Sequence, residues 1–249
     1  MINHTPDHWL AVAREAARIA GEHLLNPAKD GRAVITDKQR DVKIAADVSA
    51  ESIILNYLQE HSAFSILSEE KGFMARSDPR WTWIVDPLDG SLNYMRGIPL
   101  CCISIALWKD NEPFLGVIYD FPRKELYAGI VGKGAWCNER VIKPSEVSKR
   151  DKAVLCTGFP VNSDFSSENL TAFIQQIQHY KKIRLLGSAS LSLAYVASGR
   201  ADAYMENDIM IWDVAAGLAI ASSSGCSLSV RNGNKPHSLH IAVFSRSFE

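Results

Sequence analysis

The chain has 249 residues, enough to bury a large core without disulfide bonds, and its 27 Lys and Arg nearly balance its 28 Asp and Glu. The absence of a block of like charge argues against nucleic acid or an anionic membrane as the main partner. The five cysteines show no Cys-x-x-Cys spacing, and no apolar run is long enough to span a bilayer, so a cytoplasmic protein is expected.

The first half of the chain predicts helices followed by strands. Thr5 and Pro6 match a helix cap and first helical position, and apolar residues follow at helical spacing as far as Leu24. Beyond them the sequence predicts a helix over about 47–60 and strands over 64–67, 81–85, 103–108, 114–119, 126–130 and 134–137. Helices followed by mostly antiparallel strands are typical of an α+β organisation.

The second half predicts alternating strands and helices. The predicted order is strand 153–156, helix 168–180, strand 183–186, helix 189–197, strand 203–206, helix 214–224 and a candidate strand over 238–244. This alternation indicates an α/β half with a partly parallel sheet. The polar segment Lys143–Lys152 is the expected boundary, which gives halves of residues 1–145 and 146–249.

Acidic residues occur at three places where an apolar run ends. Glu69 and Glu70 follow the first predicted strand, Asp86 and Asp89 follow the second, and Asp213 follows Trp212. Asp213 by itself is equally compatible with a helix cap.

Asp86 and Asp89 carry the strongest chemical signal. Two acids close together at the end of a buried strand repel each other and are costly to desolvate, so a cation is expected between them. Oxygen ligands suit Mg²⁺, and the small residues Gly90 and Ser91 allow backbone N–H groups to approach an anion. The segment therefore predicts metal-assisted phosphate chemistry.

A family resemblance extends over nearly the whole chain. Three segments closely resemble the signatures of the inositol monophosphatase family: Trp83–Tyr94 (WIVDPLDGSLNY), Ser68–Glu70 and Trp212–Gly217. Members of this family are Mg²⁺-dependent, lithium-sensitive phosphatases. Segments 41–47, 132–138, 183–189 and 199–206 follow in the family order. The resemblance implies a layered αβαβα sandwich with the active site between the two halves, and a homodimer by analogy.

The resemblance also implies the metal ligands. It assigns one Mg²⁺ to Glu69, Asp86 and the carbonyl of Leu88, and a second to Asp86, Asp89 and Asp213. A third, more weakly held ion would lie near Glu69, bound through water.

Roles in the reaction follow from the same resemblance. Glu69 would orient and deprotonate the attacking water, and the Ser91 hydroxyl, held by Asp47, would assist in place of the more usual Thr. Asp213 could position the water that protonates the leaving oxygen. The implied substrate contacts are Asp89, Gly90, Ser91, Gly187, Ser188, Ala189, Glu206 and Asp213.

Some features leave alternatives open. Without the resemblance, Glu206 would be interpreted as an exposed acid that ends a strand, and Glu70 is expected to support Glu69 or to face solvent. Lys43 and Ile44 depart from the family pattern, which leaves the orientation of Asp47 open.

The leading hypothesis is a phosphatase acting on a small polyol phosphate such as inositol monophosphate. Histidinol phosphate, fructose 1,6-bisphosphate and 3′-phosphoadenosine 5′-phosphate are alternative substrates. A regulatory protein on a phosphatase scaffold, for example one that binds the transcription machinery, is the alternative from another class.

Overall fold

A computed structural model describes residues 5–26, 33–38, 41–159 and 165–247. The helices are α1 (Pro6–Leu25), α2 (Ala45–His61), α3 (Ser91–Arg96), α4 (Ser167–Ile177), α5 (Ala189–Ala197) and α6 (Ile211–Ser224). Thr5 caps α1 as predicted, because its hydroxyl accepts a hydrogen bond from the His8 N–H at 3.4 Å. Of the helices in the described ranges, none combines the length and the apolar character that a membrane crossing requires.

Strands of the first half form an eight-stranded sheet and a separate hairpin. The hairpin pairs β1 (Val34–Lys38) with β2 (Asp41–Ile44). The sheet contains β3 (Phe64–Ser68), β4 (Gly72–Met74), β5 (Asp78–Asp89), β6 (Cys102–Lys109), β7 (Glu112–Asp120), β8 (Glu125–Ile130), β9 (Gly134–Cys137) and β10 (Arg140–Val141). Its order is β10-β9-β8-β7-β6-β5-β3-β4, and only β3 and β5 pair in parallel. The strands that end near the acidic residues, β3 and β5, are therefore direct neighbours.

Strands of the second half form a five-stranded sheet. It contains β11 (Val154–Thr157), β12 (Lys182–Arg184), β13 (Ala203–Met210), β14 (Ser227–Asn232) and β15 (Ser238–Phe244) in the order β12-β11-β13-β15-β14. β11 pairs in parallel with both β12 and β13, whereas β15 is antiparallel to its neighbours. The predicted partly parallel sheet is therefore present.

The helices and sheets stack in five layers. α1 and α2 pack with one face of the eight-stranded sheet, and α5 and α6 fill the space between its other face and the five-stranded sheet. α4 covers part of the outer face of the second sheet, where Ile177 packs against Ala153 and Tyr180. The predicted αβαβα sandwich is confirmed, whereas the division near residue 145 stays a prediction.

Glycines let α6 lie unusually close to the eight-stranded sheet. A Cβ atom on Gly116 of β7 would lie 2.3 Å from the carbonyl oxygen of Ala216, and one on Gly129 of β8 would lie 2.9 Å from the Cα of Ile220. Both distances are shorter than a van der Waals contact allows. Because α6 carries Asp213 in its first turn, these contacts fix how near Asp213 comes to β5.

The structure corrects several predicted boundaries. β5 continues through Asp86 to Asp89, so the acids lie within the strand rather than after it, with an irregularity in its pairing to β6 between them. Asp213 is not a helix cap: Met210 holds that position and Asp213 lies in the first turn of α6. The sequence also missed β1, β2, β4, β10 and β14, which are short or largely exposed strands that lack a buried apolar alternation.

Candidate metal and phosphate site

Asp86 and Asp89 lie at the junction of the two sheets. The Leu88 N–H donates to Asp86 Oδ1 at 2.9 Å, which fixes the Asp86 carboxylate. Asp89 Oδ2 accepts hydrogen bonds from the Ser188 hydroxyl at 2.6 Å and from the Ser190 N–H at 2.7 Å, both at the start of α5. The positive end of the helix dipole and these donors hold the Asp89 carboxylate between the halves of the molecule.

Four predicted ligand side chains meet in one acidic cluster. The carboxyl group of Asp86 lies beside those of Glu69 and Asp213, close enough for their charges to interact. Ionised carboxylates that are buried side by side repel each other, which favours the protonated form of each. Burial and the neighbouring charge of Glu69 raise the pKa of both Asp86 and Asp213 well above their ordinary range.

The other acids of the cluster are also shifted. The loss of hydration, together with the charge of Glu70, raises the pKa of Glu69 to about 8, and burial raises the pKa of Asp89 to about 6 despite its hydrogen bonds. In the described ranges no three His, Cys, Asp or Glu side chains are already spaced as ligands around one point. A divalent ion would therefore take the place of protons on these acids, and an all-oxygen set of this kind fits Mg²⁺.

The Ser91 hydroxyl lies between Asp47 and Leu88. Its Oγ is 2.7 Å from Asp47 Oδ1 and 2.9 Å from the Leu88 carbonyl oxygen. The single hydroxyl hydrogen of Ser91 cannot form a full hydrogen bond with both acceptors at once. If a cation bound the Leu88 carbonyl oxygen, the hydroxyl would therefore donate to Asp47. Burial raises the pKa of Asp47 to about 6. The contact predicted between Ser91 and Asp47 is therefore present.

Asp47 is oriented by the backbone, which answers the question raised by Lys43 and Ile44. Its Oδ2 accepts a hydrogen bond from the Ile44 N–H at 2.7 Å, a donor that is independent of the side chain at that position. The Lys43 ammonium forms an ion pair with Glu70, so Glu70 neither faces solvent freely nor joins the acidic cluster directly.

Gly90 shapes the start of α3. It has φ +91°, and a Cβ atom there would lie 2.7 Å from the Leu100 carbonyl oxygen, so only glycine fits both the backbone conformation and the space. This leaves the N–H groups of Gly90 and Ser91 at the N-terminus of a short helix beside Asp89, which is suitable for an anion.

Asn93 connects this loop with the predicted substrate turn. Its side-chain amide donates to the carbonyl oxygens of Leu100 at 2.8 Å and Leu186 at 2.9 Å. Leu186 precedes the exposed Gly187 and the buried Ser188. The hydroxyl hydrogen of Ser188 is used by Asp89, so the substrate contact predicted for Ser188 would involve its oxygen lone pairs or its backbone. No role for Asn93 was predicted from the sequence.

Glu206 lies inside β13 and is only 8% exposed, so its interpretation as an exposed strand end is wrong. The Tyr204 hydroxyl donates to its Oε2 at 2.6 Å, and burial raises the pKa of Glu206 to about 7. A Cβ atom on Gly158 would lie 2.7 Å from the same oxygen. The Glu206 carboxyl group therefore accepts a hydrogen bond from Tyr204, and the backbone of Gly158 packs closely beside it.

Comparisons with known proteins agree with this geometry. The profile of the inositol monophosphatase family matches residues 5–246. A protein named Nus factor SuhB from Xylella fastidiosa is 39% identical over 215 residues, which cover 85% of this chain and 78% of the relative. An inositol-1-monophosphatase from Synechocystis is 34% identical over 220 residues, covering 87% and 77%.

The same similarity is found among solved structures. The inositol monophosphatase from Anabaena superimposes with a TM-score of 0.82 at 33% identity, covering 97% of this chain and 92% of that one. Fold and acidic cluster thus define a phosphatase scaffold of the layered αβαβα type. The chain belongs to the inositol monophosphatase family, whose members are in general metal-dependent and act on small phosphate esters.

Proposed function

We propose that this protein is a Mg²⁺-dependent phosphomonoesterase that hydrolyses a small polyol phosphate such as inositol monophosphate. The observation that carries the proposal is the meeting of Glu69, Asp86 and Asp213, whose carboxyl groups come from separate parts of the chain into one buried cluster. Such an arrangement is unfavourable for a purely structural cluster, since ionised acids repel each other and are costly to desolvate. It suits a centre that binds cations.

Two or three Mg²⁺ ions fit the oxygen donors present. Glu69, Asp86 and the Leu88 carbonyl would hold one ion, Asp86, Asp89 and Asp213 a second, and Glu69 a weaker third through water. When bound, the ions gather the phosphate oxygens, lower the pKa of water and stabilise the leaving alkoxide.

The chain's own groups orient the reactants. Ser91 gives its hydrogen to Asp47, so the lone pairs of its oxygen are available to accept a hydrogen bond from the attacking water. Glu69 accepts the second proton of that water and thereby raises its nucleophilicity. The N–H groups of Gly90 and Ser91 donate to the phosphate oxygens, where negative charge increases in the transition state.

Residues of the second half would act on the alcohol. Asp213 positions the water that protonates the leaving oxygen, and Asp89 and Glu206 accept hydrogen bonds from substrate hydroxyl groups. Gly187, Ser188 and Ala189 contribute a turn beside the phosphate loop, to which Asn93 already binds the Leu186 carbonyl. A carboxylate acceptor held by Tyr204 favours a substrate rich in hydroxyl groups.

A panel of phosphate esters tests this proposal. Inositol 1-phosphate, histidinol phosphate, fructose 1,6-bisphosphate and adenosine 3′,5′-bisphosphate should be compared by kcat/KM, each with and without Mg²⁺ and with added Li⁺. We expect the highest value for inositol 1-phosphate, no turnover in chelator and inhibition by Li⁺. A preference for one of the other esters would correct the substrate, and phosphate release without any divalent ion would contradict the mechanism.

An interaction protein on the same scaffold is the second candidate. It is favoured by relatives named Nus factor SuhB, including the one from Xylella fastidiosa. The retention of every predicted metal ligand favours catalysis instead. We further propose a homodimer in the cytoplasm, which light scattering of the purified protein and fractionation of cells would test.

A further inference from the structure

Hydrogen bonds hold the segment that carries Glu69 on both sides of that residue. It lies between β3 and β4, and its neighbour Ser68 is fully buried at the end of β3. Glu69 is exposed as a whole residue, but its carboxyl group lies beside that of Asp86, and its N–H donates to the Val85 carbonyl oxygen at 3.2 Å. The Glu69 side chain can therefore reach the cleft while its backbone is held, and the groups that hold the rest of the segment determine where it points.

Glu51 of α2 provides those contacts. Its Oε1 accepts hydrogen bonds from the Ser68 hydroxyl at 2.6 Å and from the Lys71 N–H at 3.0 Å. Glu51 is only 1% exposed, and the Lys71 ammonium lies 4.0 Å from its Oε2. A buried carboxylate with charge-assisted hydrogen bonds resists displacement, so the two donors on either side of Glu69 are fixed relative to α2.

The same face of α2 also holds the phosphate loop. Asp47 lies one helical turn before Glu51, so the two side chains project from the same side of the helix. Asp47 accepts a hydrogen bond from Ser91, and Glu51 accepts one from Ser68. One rigid helix thus sets the spacing between the loop of Ser91 and the segment of Glu69.

We propose that Glu51 is a positioning residue which, through Ser68 and the Lys71 N–H, fixes Glu69 for Mg²⁺ binding. This rests on the proposed function, because it assumes that Glu69 is a metal ligand. Groups that orient metal ligands typically contribute about 10–100-fold to metal affinity. A merely structural role for Glu51 would change the stability of the fold without changing that affinity.

Matched substitutions separate the two roles. Ser68→Ala removes one donor to Glu51, and Ser65→Ala is its control, since Ser65 is equally buried on β3 but accepts a hydrogen bond from the Arg76 N–H instead. Glu51→Leu removes the acceptor, whereas Glu51→Gln keeps an oxygen in its place. Each full-length variant should be titrated with Mg²⁺ by calorimetry after metal removal, and assayed for the Mg²⁺ concentration that gives half-maximal activity.

We expect Ser68→Ala and Glu51→Leu to weaken Mg²⁺ binding by about tenfold or more, and Glu51→Gln and Ser65→Ala to bind Mg²⁺ within about threefold of the unmodified protein. If Ser68→Ala binds Mg²⁺ as tightly as Ser65→Ala does, the positioning role is wrong while the proposed function stands. If Glu51→Leu does not fold, the Ser68→Ala result decides. If the unmodified protein binds no Mg²⁺, both proposals are overturned.

Discussion

The two sides of the cleft are built differently. On the side of the eight-stranded sheet, Asp86 and Ser91 are each held by hydrogen bonds of 2.7 to 2.9 Å to buried partners. On the side of the five-stranded sheet, the turn at Gly187 is exposed, and Tyr204 is the one side chain that donates to Glu206 within the described residues. Under the proposed function, this difference would leave the chemistry preorganised, and recognition of the alcohol would depend on few contacts.

The largest effect should come from the centre of the preorganised side. Asp86→Asn should lower kcat/KM by about 10³-fold, because several kcal/mol of charge stabilisation would be lost and each 1.4 kcal/mol is about a factor of ten. Steady-state kinetics at saturating Mg²⁺ measures the loss. Asp120→Asn is the control, since Asp120 is also fully buried at a strand end but pairs with Arg123, away from the cluster. Undiminished turnover by Asp86→Asn would contradict the mechanism.

A smaller loss is expected at the residue that orients the water. Ser91→Ala should reduce kcat by about 10²-fold with little change in KM, because the hydroxyl acts on the attacking water rather than on the alcohol. Ser91→Thr keeps the hydroxyl and should restore most of the activity. Equal activity of the Ala and Thr variants would show that the contact with Asp47 is structural only.

A substitution on the side of the five-stranded sheet should change KM rather than kcat. Glu206→Gln keeps an acceptor for Tyr204 but removes the charge, so KM for a polyol phosphate should rise about tenfold, in line with the ~1.5–3 kcal/mol of a charged hydrogen bond. An aryl phosphate without hydroxyl groups is the control substrate, and its KM should not change. If both substrates are affected alike, Glu206 does not contact the alcohol.

The smallest effect concerns the pH dependence of stability in the metal-free protein. The pKa of Glu69 lies near 8 and that of Glu206 near 7 in the fold, both above the ordinary value of 4.5. Folding therefore favours the protonated acids, and this stabilisation is complete below about pH 4.5 and lost as the pH rises through about 7 and 8.

Thermal unfolding checks this sign. In chelator, Tm should fall by several degrees between about pH 5 and pH 8, at roughly 2–4 °C for each kcal/mol in a chain of this length. Added Mg²⁺ should reduce the dependence of Tm on pH, because a bound cation would take the place of protons on these acids. A Tm of the metal-free protein that rises over this range would show that the acids are ionised in the fold.

The acidic cluster could be predicted from the sequence, whereas the residues that hold its members in place could not. The string from Trp83 to Tyr94 indicates the metal and phosphate site because the spacing of its acids and glycine is local. Glu51 could not be identified in the same way: its partners Ser68 and Lys71 lie on another element, and their contact depends on how α2 packs on the sheet. Contacts of this kind have no short-range signature.

Exposure explains the missed strands. β14 and the β1–β2 hairpin leave most of their described side chains at least partly exposed, so apolar and polar residues do not alternate along them as in a half-buried strand. The acids of β5 were placed after the strand for a related reason. Carboxylates suggest a solvated turn, whereas here the backbone pairing with β6 continues to Asp89.

The position of Asp213 depends on the absence of side chains at two glycines that pack against α6. Gly116 and Gly129 lie on β7 and β8, two and three strands away from β5, and contribute no atom to the proposed reaction, yet a methyl group on either would collide with the helix that carries Asp213. Such positions would escape any search for functional side chains. A substitution there would push α6 away from the sheet and move the Asp213 carboxylate away from those of Glu69 and Asp86, although no catalytic residue would have been replaced.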